Sequence, residues 1–264
     1  MRNHINHISA FFWGMVLLSC GLFWQHNAGA ASLPDTVQRV KQSIVAVGTI
    51  RTDPFPETRF MGTGFVVGDG TYVITNEHVI SVVLDSESKE SLTIFVGTGE
   101  QAKSIKAEVV KIDHEHDLAL LKMEGAGLPA LRFGNSDTVR EGDALAFTGF
   151  PIGIVLGLYP ATHRATLSSI TPIVIPAVHS SDLNSKAIKK LLTPFSVFQL
   201  DGTAYPGNSG SPLYYPDTGD VIGIVNLVFV KTTKENVLSQ PSGIAYAIPG
   251  RYMVQLMQHA GVTP

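Results

Sequence analysis

Short apolar runs rich in Val, Ile, Phe and Tyr recur along most of the chain, and Gly, Asp, Asn or Pro separate them. β-branched and aromatic residues favour strands, whereas the separating residues favour turns. The predicted strands are Ser43–Ile50, Phe60–Val67, Tyr72–Thr75, Leu92–Val96, Ile105–Asp113, Leu118–Met123, Ala144–Phe150, Arg164–Thr171, Val197–Asp201, Ser211–Tyr215, Val221–Phe229 and Gly243–Ile248. A polar break near residues 124–142 divides them into two equal sets. The pattern therefore predicts an all-β fold of two packed six-stranded antiparallel β-barrels, at about residues 43–123 and 142–249.

Helical patterns are few. Apolar residues recur at helical spacing in Arg251–His259, which predicts a C-terminal helix with Gly261 placed to end it. A short helix is predicted at Pro34–Gln42, where Pro lies near the start. A third is predicted at Asp182–Leu192, and within a β-rich chain that segment indicates a surface insertion.

The N-terminus has the pattern of an export signal. Arg2 precedes the apolar stretch Ile8–Trp24, and Ala28-Gly29-Ala30 is the small-x-small pattern of a signal peptidase site. We predict a signal peptide over residues 1–30, with cleavage near Ala30 and a periplasmic or secreted product. Two alternatives give a membrane-anchored protein: the apolar stretch stays uncleaved, or Leu17-Leu18-Ser19-Cys20 acts as a lipoprotein box and Cys20 is lipidated.

Composition narrows the class of the remaining domain, residues 31–264. A chain with 44% hydrophobic and 16% charged residues is typical of a globular protein with a substantial core. The formal charge of −3 argues against a nucleic-acid-binding surface, which is normally basic. Cys20 is the only cysteine, so we expect stability to come from core burial rather than disulfides.

One serine lies in a segment suited to display a nucleophile. Ser209 stands within Pro206–Leu213, among small, turn-forming residues. A serine hydroxyl needs a base and oxyanion donors, and glycines supply the open backbone for such a site. His78 follows a predicted strand, where a loop can display it, and Asp117 directly precedes a buried strand. An acid at that position is favoured if it accepts hydrogen bonds, as it does when it orients an imidazole.

The order His78, Asp117, Ser209 excludes the α/β-hydrolase order, in which the serine comes first. The α/β-hydrolase elbow also requires glycine two residues after the nucleophile, where this chain has Ser211. The β-rich pattern argues against that fold independently.

With these motifs, the chain resembles the trypsin-like serine proteases of the bacterial HtrA/Deg-type branch. The matching stretches are Gly62–Val66, Thr75–Val79, Asp117–Lys122, Phe133–Asp137, Gly142–Asp143, Pro206–Leu213 and Gly243–Pro249. They cover nearly the whole domain in the family's order. The chain ends at Pro264, soon after Ser209, so we expect no appended PDZ domain.

The resemblance implies a serine endopeptidase that acts on polypeptide through an acyl-enzyme, without metal or cofactor. His78 is then the general base, Asp117 orients it, and the backbone N–H groups of Gly207 and Ser209 form the oxyanion hole. The alternative is a pseudoprotease that binds unfolded polypeptide or peptide. HtrA-type enzymes often trimerise, but no residue pattern here supports a homo-oligomer independently.

The resemblance also implies substrate-binding residues. Asn226, Leu227 and Val228 form a backbone edge for an extended peptide. Thr203, at the floor of the primary pocket, carries no charge, and Val228 narrows that pocket. We therefore expect a preference for small or medium aliphatic side chains over Lys or Arg, although Asp201 lies two residues before Thr203.

One departure from the family pattern and two candidate metal-binding segments remain. Ser211 replaces the family's second glycine, and its Cβ is expected to crowd the nucleophile turn. His114-Glu115-His116-Asp117 has metal-ligand residue types, but in an extended segment they alternate sides, so we expect solvent-exposed loop histidines and no metal. Gly68-Asp69-Gly70 lacks the further acids of a calcium site and predicts a hairpin turn.

Overall fold

The computed structural model describes residues 32–51, 57–81, 90–151, 157–172, 195–227 and 243–264. Within these residues the chain forms two closed six-stranded antiparallel barrels, which confirms the predicted fold class. The predicted signal peptide, the predicted helix Asp182–Leu192 and Val228 lie outside the described residues.

The first barrel has the strand order β1-β2-β3-β6-β5-β4. Its strands are β1 (Ile44–Arg51), β2 (Glu57–Val67), β3 (Tyr72–Thr75), β4 (Glu90–Val96), β5 (Lys103–Asp113) and β6 (Leu118–Met123). The turn at Gly68-Asp69-Gly70 joins β2 to β3 as a hairpin, as predicted, and Asp69 Oδ1 accepts the Thr71 N–H at 2.9 Å. β2 begins three residues before its predicted start because its exposed polar residues still pair with β1, Glu57 opposite Arg51.

The second barrel has the order β10-β11-β12-β9-β8-β7. Its strands are β7 (Ala144–Gly149), β8 (Ala161–Pro172), β9 (Ser196–Asp201), β10 (Pro212–Tyr214), β11 (Val221–Asn226) and β12 (Ile244–Pro249). Ring closure pairs the first strand of this barrel, β7, with both β8 and β10.

Within the described ranges, two α-helices flank the barrels, α1 (Leu33–Lys41) and α2 (Gly250–His259), close to the predicted bounds. Gly261 ends α2 in the left-handed region with φ +72°, and its N–H donates to the Gln258 carbonyl at 3.0 Å. The Val262 N–H donates to the Met257 carbonyl at 2.9 Å, which completes a Schellman cap. In the described part of the chain, no helix is both long and apolar enough to cross a membrane.

A single apolar cluster connects both barrels with α2. It contains Phe65 and Leu120 from the first barrel, Tyr214 and Ile248 from the second, and Met253 from the helix, all of them buried. Because burial of apolar side chains drives folding, this shared core holds the two barrels against each other. The loops at the barrel ends can then place side chains from both barrels in one site.

Candidate active site

His78 and Asp117 form a two-point contact within the first barrel. His78 lies in a 3₁₀ turn, Glu77–Ile80, directly after β3, and Asp117 directly precedes β6. Asp117 Oδ2 lies 2.6 Å from His78 Nδ1, and Oδ1 accepts the backbone N–H of His78 at 2.9 Å. A carboxylate only accepts hydrogen bonds, so Nδ1 carries the hydrogen and Nε2 has a free lone pair. The pair thus presents a base.

Asp117 adopts an uncommon backbone conformation. Its φ of +54° is the one positive φ of a non-glycine residue within the described ranges. Such a conformation costs roughly 1–2 kcal/mol, least for Asn and Asp. The Asp117 carbonyl accepts the Glu77 N–H and Asn76 Nδ2, both at 3.1 Å. These bonds stabilise the strained residue and aim its carboxylate at His78.

Asn226 supplies a third hydrogen bond to the carboxylate. Its Nδ2 donates to Asp117 Oδ2 at 2.6 Å from the end of β11, in the other barrel, and its side chain is fully buried. The sequence assigned Asn226 a backbone role at a peptide-binding edge and missed this contact. The one sequence feature that could have indicated the contact is the amide side chain of Asn226 itself, a polar group at the end of a buried apolar run.

Ser209 lies in a turn between two left-handed glycines, Gly207 (φ +99°) and Gly210 (φ +89°). Ser209 is buried, and its Oγ accepts the Leu227 N–H at a long 3.4 Å. Within the described ranges, no hydrogen bond joins Ser209 Oγ to His78. His78 and Ser209 thus belong to different barrels, and within the described ranges their side chains are not hydrogen-bonded to each other.

Thr63, from β2, fixes the nucleophile turn to the first barrel. Its N–H donates to the Ser209 carbonyl at 2.8 Å, and its Oγ1 donates to the Gly207 carbonyl at 2.7 Å. Oγ1 also accepts the Phe150 N–H at 3.0 Å, while the Thr63 carbonyl accepts Thr75 Oγ1 at 2.7 Å. The sequence showed Thr63 only as a member of a motif, because contacts so distant in the chain leave no local signal.

The two predicted oxyanion donors are available. Among the residues that the structure describes, neither the Gly207 N–H nor the Ser209 N–H has a hydrogen-bond acceptor. The Gly210 N–H, in contrast, donates to the Val225 carbonyl at 3.0 Å. A Cβ on Gly210 would lie 1.8 Å from the Thr63 carbonyl oxygen, so only glycine fits there.

Ser211 points its hydroxyl at a glycine. A Cβ on Gly149 would lie 1.9 Å from Ser211 Oγ, so the absence of a side chain at 149 makes room for the hydroxyl. Gly149 thus leaves space for the Ser211 hydroxyl. Ser211 Oγ and both amide atoms of Asn208 are buried and, in the described part of the chain, lack hydrogen-bond partners.

The other predicted substrate-binding residues are placed as follows. Thr203 is half-buried after β9, and Leu227 is buried at the end of β11. The Leu227 N–H is directed at Ser209 Oγ, so the middle residue of the predicted peptide-binding edge adjoins Ser209. Asp201, at the end of β9, is exposed and pairs with Ile244 and Thr166. The pocket role of Thr203 stays a prediction.

The prediction of two exposed loop histidines is wrong for one of them. The His114 side chain is 65% exposed and contacts Glu77, whereas that of His116 is only 13% exposed and its Nδ1 lies 2.7 Å from Asp113 Oδ2. The segment is a turn rather than an extended strand, so the expected alternation of sides does not apply. Among the described residues, no group of three or more His, Cys, Asp or Glu side chains is placed to hold a metal ion.

Comparison with known proteins gives the family. The trypsin-like peptidase domain matches residues 62–224, which is more than half of the chain and includes all three triad candidates. The chain belongs to the trypsin-like peptidase family. This placement agrees with the barrel pair and with the resemblance that the motifs indicated.

Relatives within the family include two proteins named probable periplasmic serine endoprotease DegP-like. That of Chlamydia muridarum is 33% identical over 220 residues, 81% of this chain and 37% of the relative. That of Halomonas elongata is 31% identical over 193 residues, 73% of this chain and 33% of the relative. This chain therefore spans about a third of the length of these relatives.

Solved structures of the HtrA-type protease AlgW share the fold. The structure with a decapeptide has a TM-score of 0.63 at 22% identity, and the match covers 87% of this chain and 67% of that one. The structure with a tripeptide has a TM-score of 0.59 at 24% identity, with 86% and 62% covered. At these identities the likeness concerns the fold.

Proposed function

We propose that this chain is an exported serine endopeptidase that hydrolyses peptide bonds through Ser209, His78 and Asp117. The observation that carries the proposal is the fixed imidazole: Asp117 binds Nδ1 of His78 at 2.6 Å and leaves Nε2 free to accept a proton. Membership of the trypsin-like peptidase family supports the same chemistry. The relatives named as periplasmic, together with the N-terminal signal pattern, support export.

Catalysis begins when Ser209 Oγ attacks the carbonyl carbon of the scissile peptide and its proton passes to His78 Nε2. The carbonyl oxygen becomes an oxyanion and accepts the free N–H groups of Gly207 and Ser209. His78 then gives the proton to the leaving amine, and the C–N bond breaks to leave an acyl-enzyme. Water, deprotonated by His78, attacks the ester carbonyl and releases the acid, and the proton returns to Ser209.

Attack requires that Ser209 Oγ–H donate a hydrogen bond to His78 Nε2, and within the described ranges that bond is not formed. In the structure Oγ accepts the Leu227 N–H at 3.4 Å, at the long limit of a hydrogen bond. A hydroxyl can accept one hydrogen bond while it donates another, so this contact does not prevent the bond to His78. We expect substrate binding to favour the arrangement in which Oγ–H donates to Nε2.

We further propose that substrate binds as an added strand along Asn226–Val228. The buried end of β11 and the position of the Leu227 N–H beside the nucleophile support this edge. The AlgW relative with a decapeptide is an HtrA-type protease in complex with a peptide. Thr203 carries no charge, and the family resemblance implies that Val228, which lies outside the described residues, narrows the pocket. Cleavage is therefore expected after small or medium aliphatic residues; a peptide library cut mainly after Lys or Arg would contradict this.

A fluorophosphonate probe tests the proposed function. The probe forms a covalent bond only with an activated serine, so the wild-type protein should be labelled at Ser209 and should cleave peptides. Ser209→Ala is the matched control, since it removes only the hydroxyl. If the wild type is not labelled, or if Ser209→Ala is labelled equally, the proposal is wrong. An unlabelled protein that binds unfolded polypeptide would instead be the pseudoprotease.

A further inference from the structure

A second imidazole–carboxylate pair lies directly beside the catalytic acid. His116 precedes Asp117, and its Nδ1 lies 2.7 Å from Asp113 Oδ2. Asp113 Oδ1 also accepts the backbone N–H groups of Glu115 at 3.0 Å and of His116 at 3.2 Å. Burial alone would raise the pKa of Asp113, but its bonds to His116 and Glu115 outweigh burial and lower the pKa. Asp113 is thus the carboxylate around which the turn folds.

The His116 ring is held by two aromatic residues, one from α2 and one from the segment before β9. It stacks on Tyr252 of α2, with ring centroids 3.8 Å apart and an interplanar angle of 20°. Phe195, which precedes β9, packs against the same ring at 4.6 Å in an edge arrangement. Arg251 lies 4.7 Å over the Tyr252 ring and binds Asp137 at 2.8 Å. The charged groups in this cluster are therefore Asp113, Arg251 and Asp137.

Two consecutive residues therefore connect the first barrel with the rest of the fold. His116 makes the contact with α2 and the start of β9, and Asp117 makes the contact with Asn226 of β11. Between them lies one peptide bond, and Asp117 holds a strained φ of +54°. Because His116 and Asp117 are adjacent, contacts that hold the His116 side chain also restrict the position of the Asp117 carboxylate.

We propose that His116, held by Asp113 and clamped between Tyr252 and Phe195, is a positioning residue that keeps the Asp117 carboxylate on His78. The inference rests on the proposed function, since it assigns a role within the same triad. Small displacements of a catalytic group are enough to reduce turnover strongly, by up to about 100-fold for a shift near 1 Å. A purely structural His116 would instead affect only how much protein is folded.

Two substitutions separate the parts of this role. His116→Phe keeps an aromatic ring between Tyr252 and Phe195 but removes the bond to Asp113. His116→Ala removes both. The matched control is His114→Gln, which changes the exposed histidine of the same turn. Peptide cleavage is measured as kcat, KM and the pH profile of kcat/KM, normalised to active sites titrated to completion with fluorophosphonate.

For His116→Phe we expect kcat to fall about 10-fold with KM within about twofold of wild type, and for His116→Ala a fall closer to 100-fold. Because a displaced Asp117 stabilises the His78 imidazolium less, the acidic limb of the profile should move to lower pH in both. His114→Gln should match the wild type.

If both His116 variants keep the wild-type kcat and acidic limb while the wild type is labelled and active, this inference is wrong and the proposed function stands. A fall in melting temperature with unchanged kcat per active site would also overturn it. Absence of labelling in the wild type would instead reject the proposed function itself. Should His116→Ala not fold, His116→Phe alone decides, because its ring preserves the packing.

Discussion

The two halves of the candidate site are built differently. In the first barrel, the carboxylate of Asp117 accepts three hydrogen bonds, and its carbonyl accepts two more. In the second, among the described residues, the turn around Ser209 has two backbone donors without acceptors and buried polar atoms of Asn208 and Ser211 without partners. The Asp117 carboxylate is thus saturated with hydrogen bonds, although the nearby Asn76 Oδ1 is buried without a partner in the same described part of the chain, and the Ser209 turn keeps backbone donors in reserve.

The difference matches what each half must do. In the proposed mechanism, the base must keep one tautomer and one orientation throughout the reaction, so full hydrogen bonding of its partner is an advantage. The proposed oxyanion hole must bind a charge that exists only during the reaction, so its donors have to be free beforehand. Thr63 holds the Ser209 turn in place without occupying these donors. It binds the carbonyl groups of Gly207 and Ser209 and leaves their N–H groups open.

The largest expected effect comes from replacing the Asp117 carboxylate. Asp117→Asn should lower kcat by about 10⁴-fold, because an amide can hold His78 in the wrong tautomer. Peptide hydrolysis under single-turnover conditions measures the effect, and circular dichroism shows whether the fold is intact. A variant within tenfold of the wild type would mean that Asp117 does not orient the base.

A glycine substitution tests how tightly the Ser209 turn packs against the first barrel. Gly210→Ala should lower the free energy of unfolding by more than about 3 kcal/mol, since its Cβ would lie 1.8 Å from the Thr63 carbonyl oxygen. Gly142→Ala is the matched control, because Gly142 also has a positive φ of +94° but nothing within 4 Å of the added Cβ. Urea denaturation compares the two. Equal losses would show that φ alone, and not the contact with Thr63, decides at 210.

Two variants should reduce activity for different reasons. Asn226→Ala removes a hydrogen-bond donor from the Asp117 carboxylate, whose negative charge is then less neutralised, so kcat should fall about 10-fold and the acidic limb should move to higher pH. Thr63→Val removes the bond to the Gly207 carbonyl, so a similar fall in kcat should leave the limb in place. pH profiles of kcat/KM distinguish them. If the acidic limb shifted equally in both variants, the hydrogen bonding of Asp117 and the position of the Ser209 turn would be coupled.

The smallest expected effect concerns stability rather than activity. Burial lowers the pKa of His163 from 6.5, and its Nε2 is buried without a partner among the described residues. The unfolded chain then binds the proton more readily, so stability is full above about pH 6.5 and declines as the pH falls from there toward the folded pKa.

His163→Phe tests this, because the new ring can still stack on Phe147 as His163 does. Urea unfolding at about pH 7.5 and 5.5 should show a smaller loss of stability in the variant than in the wild type. An identical loss in both would place the acid sensitivity in other groups.

The sequence was sufficient for the barrel pair because strand patterns and turn residues are local signals. The order of His78, Asp117 and Ser209 was equally visible, since each stands in a short motif. It could not show that Asn226 binds Asp117 or that Thr63 binds the Ser209 turn, because both contacts join residues more than a hundred positions apart. His116 was misjudged for the same reason: its burial depends on Tyr252 and Phe195.

The space shared by Gly149 and Ser211 makes the two positions interdependent under mutation. With the hydroxyls as the structure places them, a Cβ at 149 would lie 1.9 Å from Ser211 Oγ and 2.8 Å from Thr63 Oγ1. A side chain at 149 therefore requires both hydroxyl groups to move, and a substitution at 211 that removes the hydroxyl should lower the cost of one at 149.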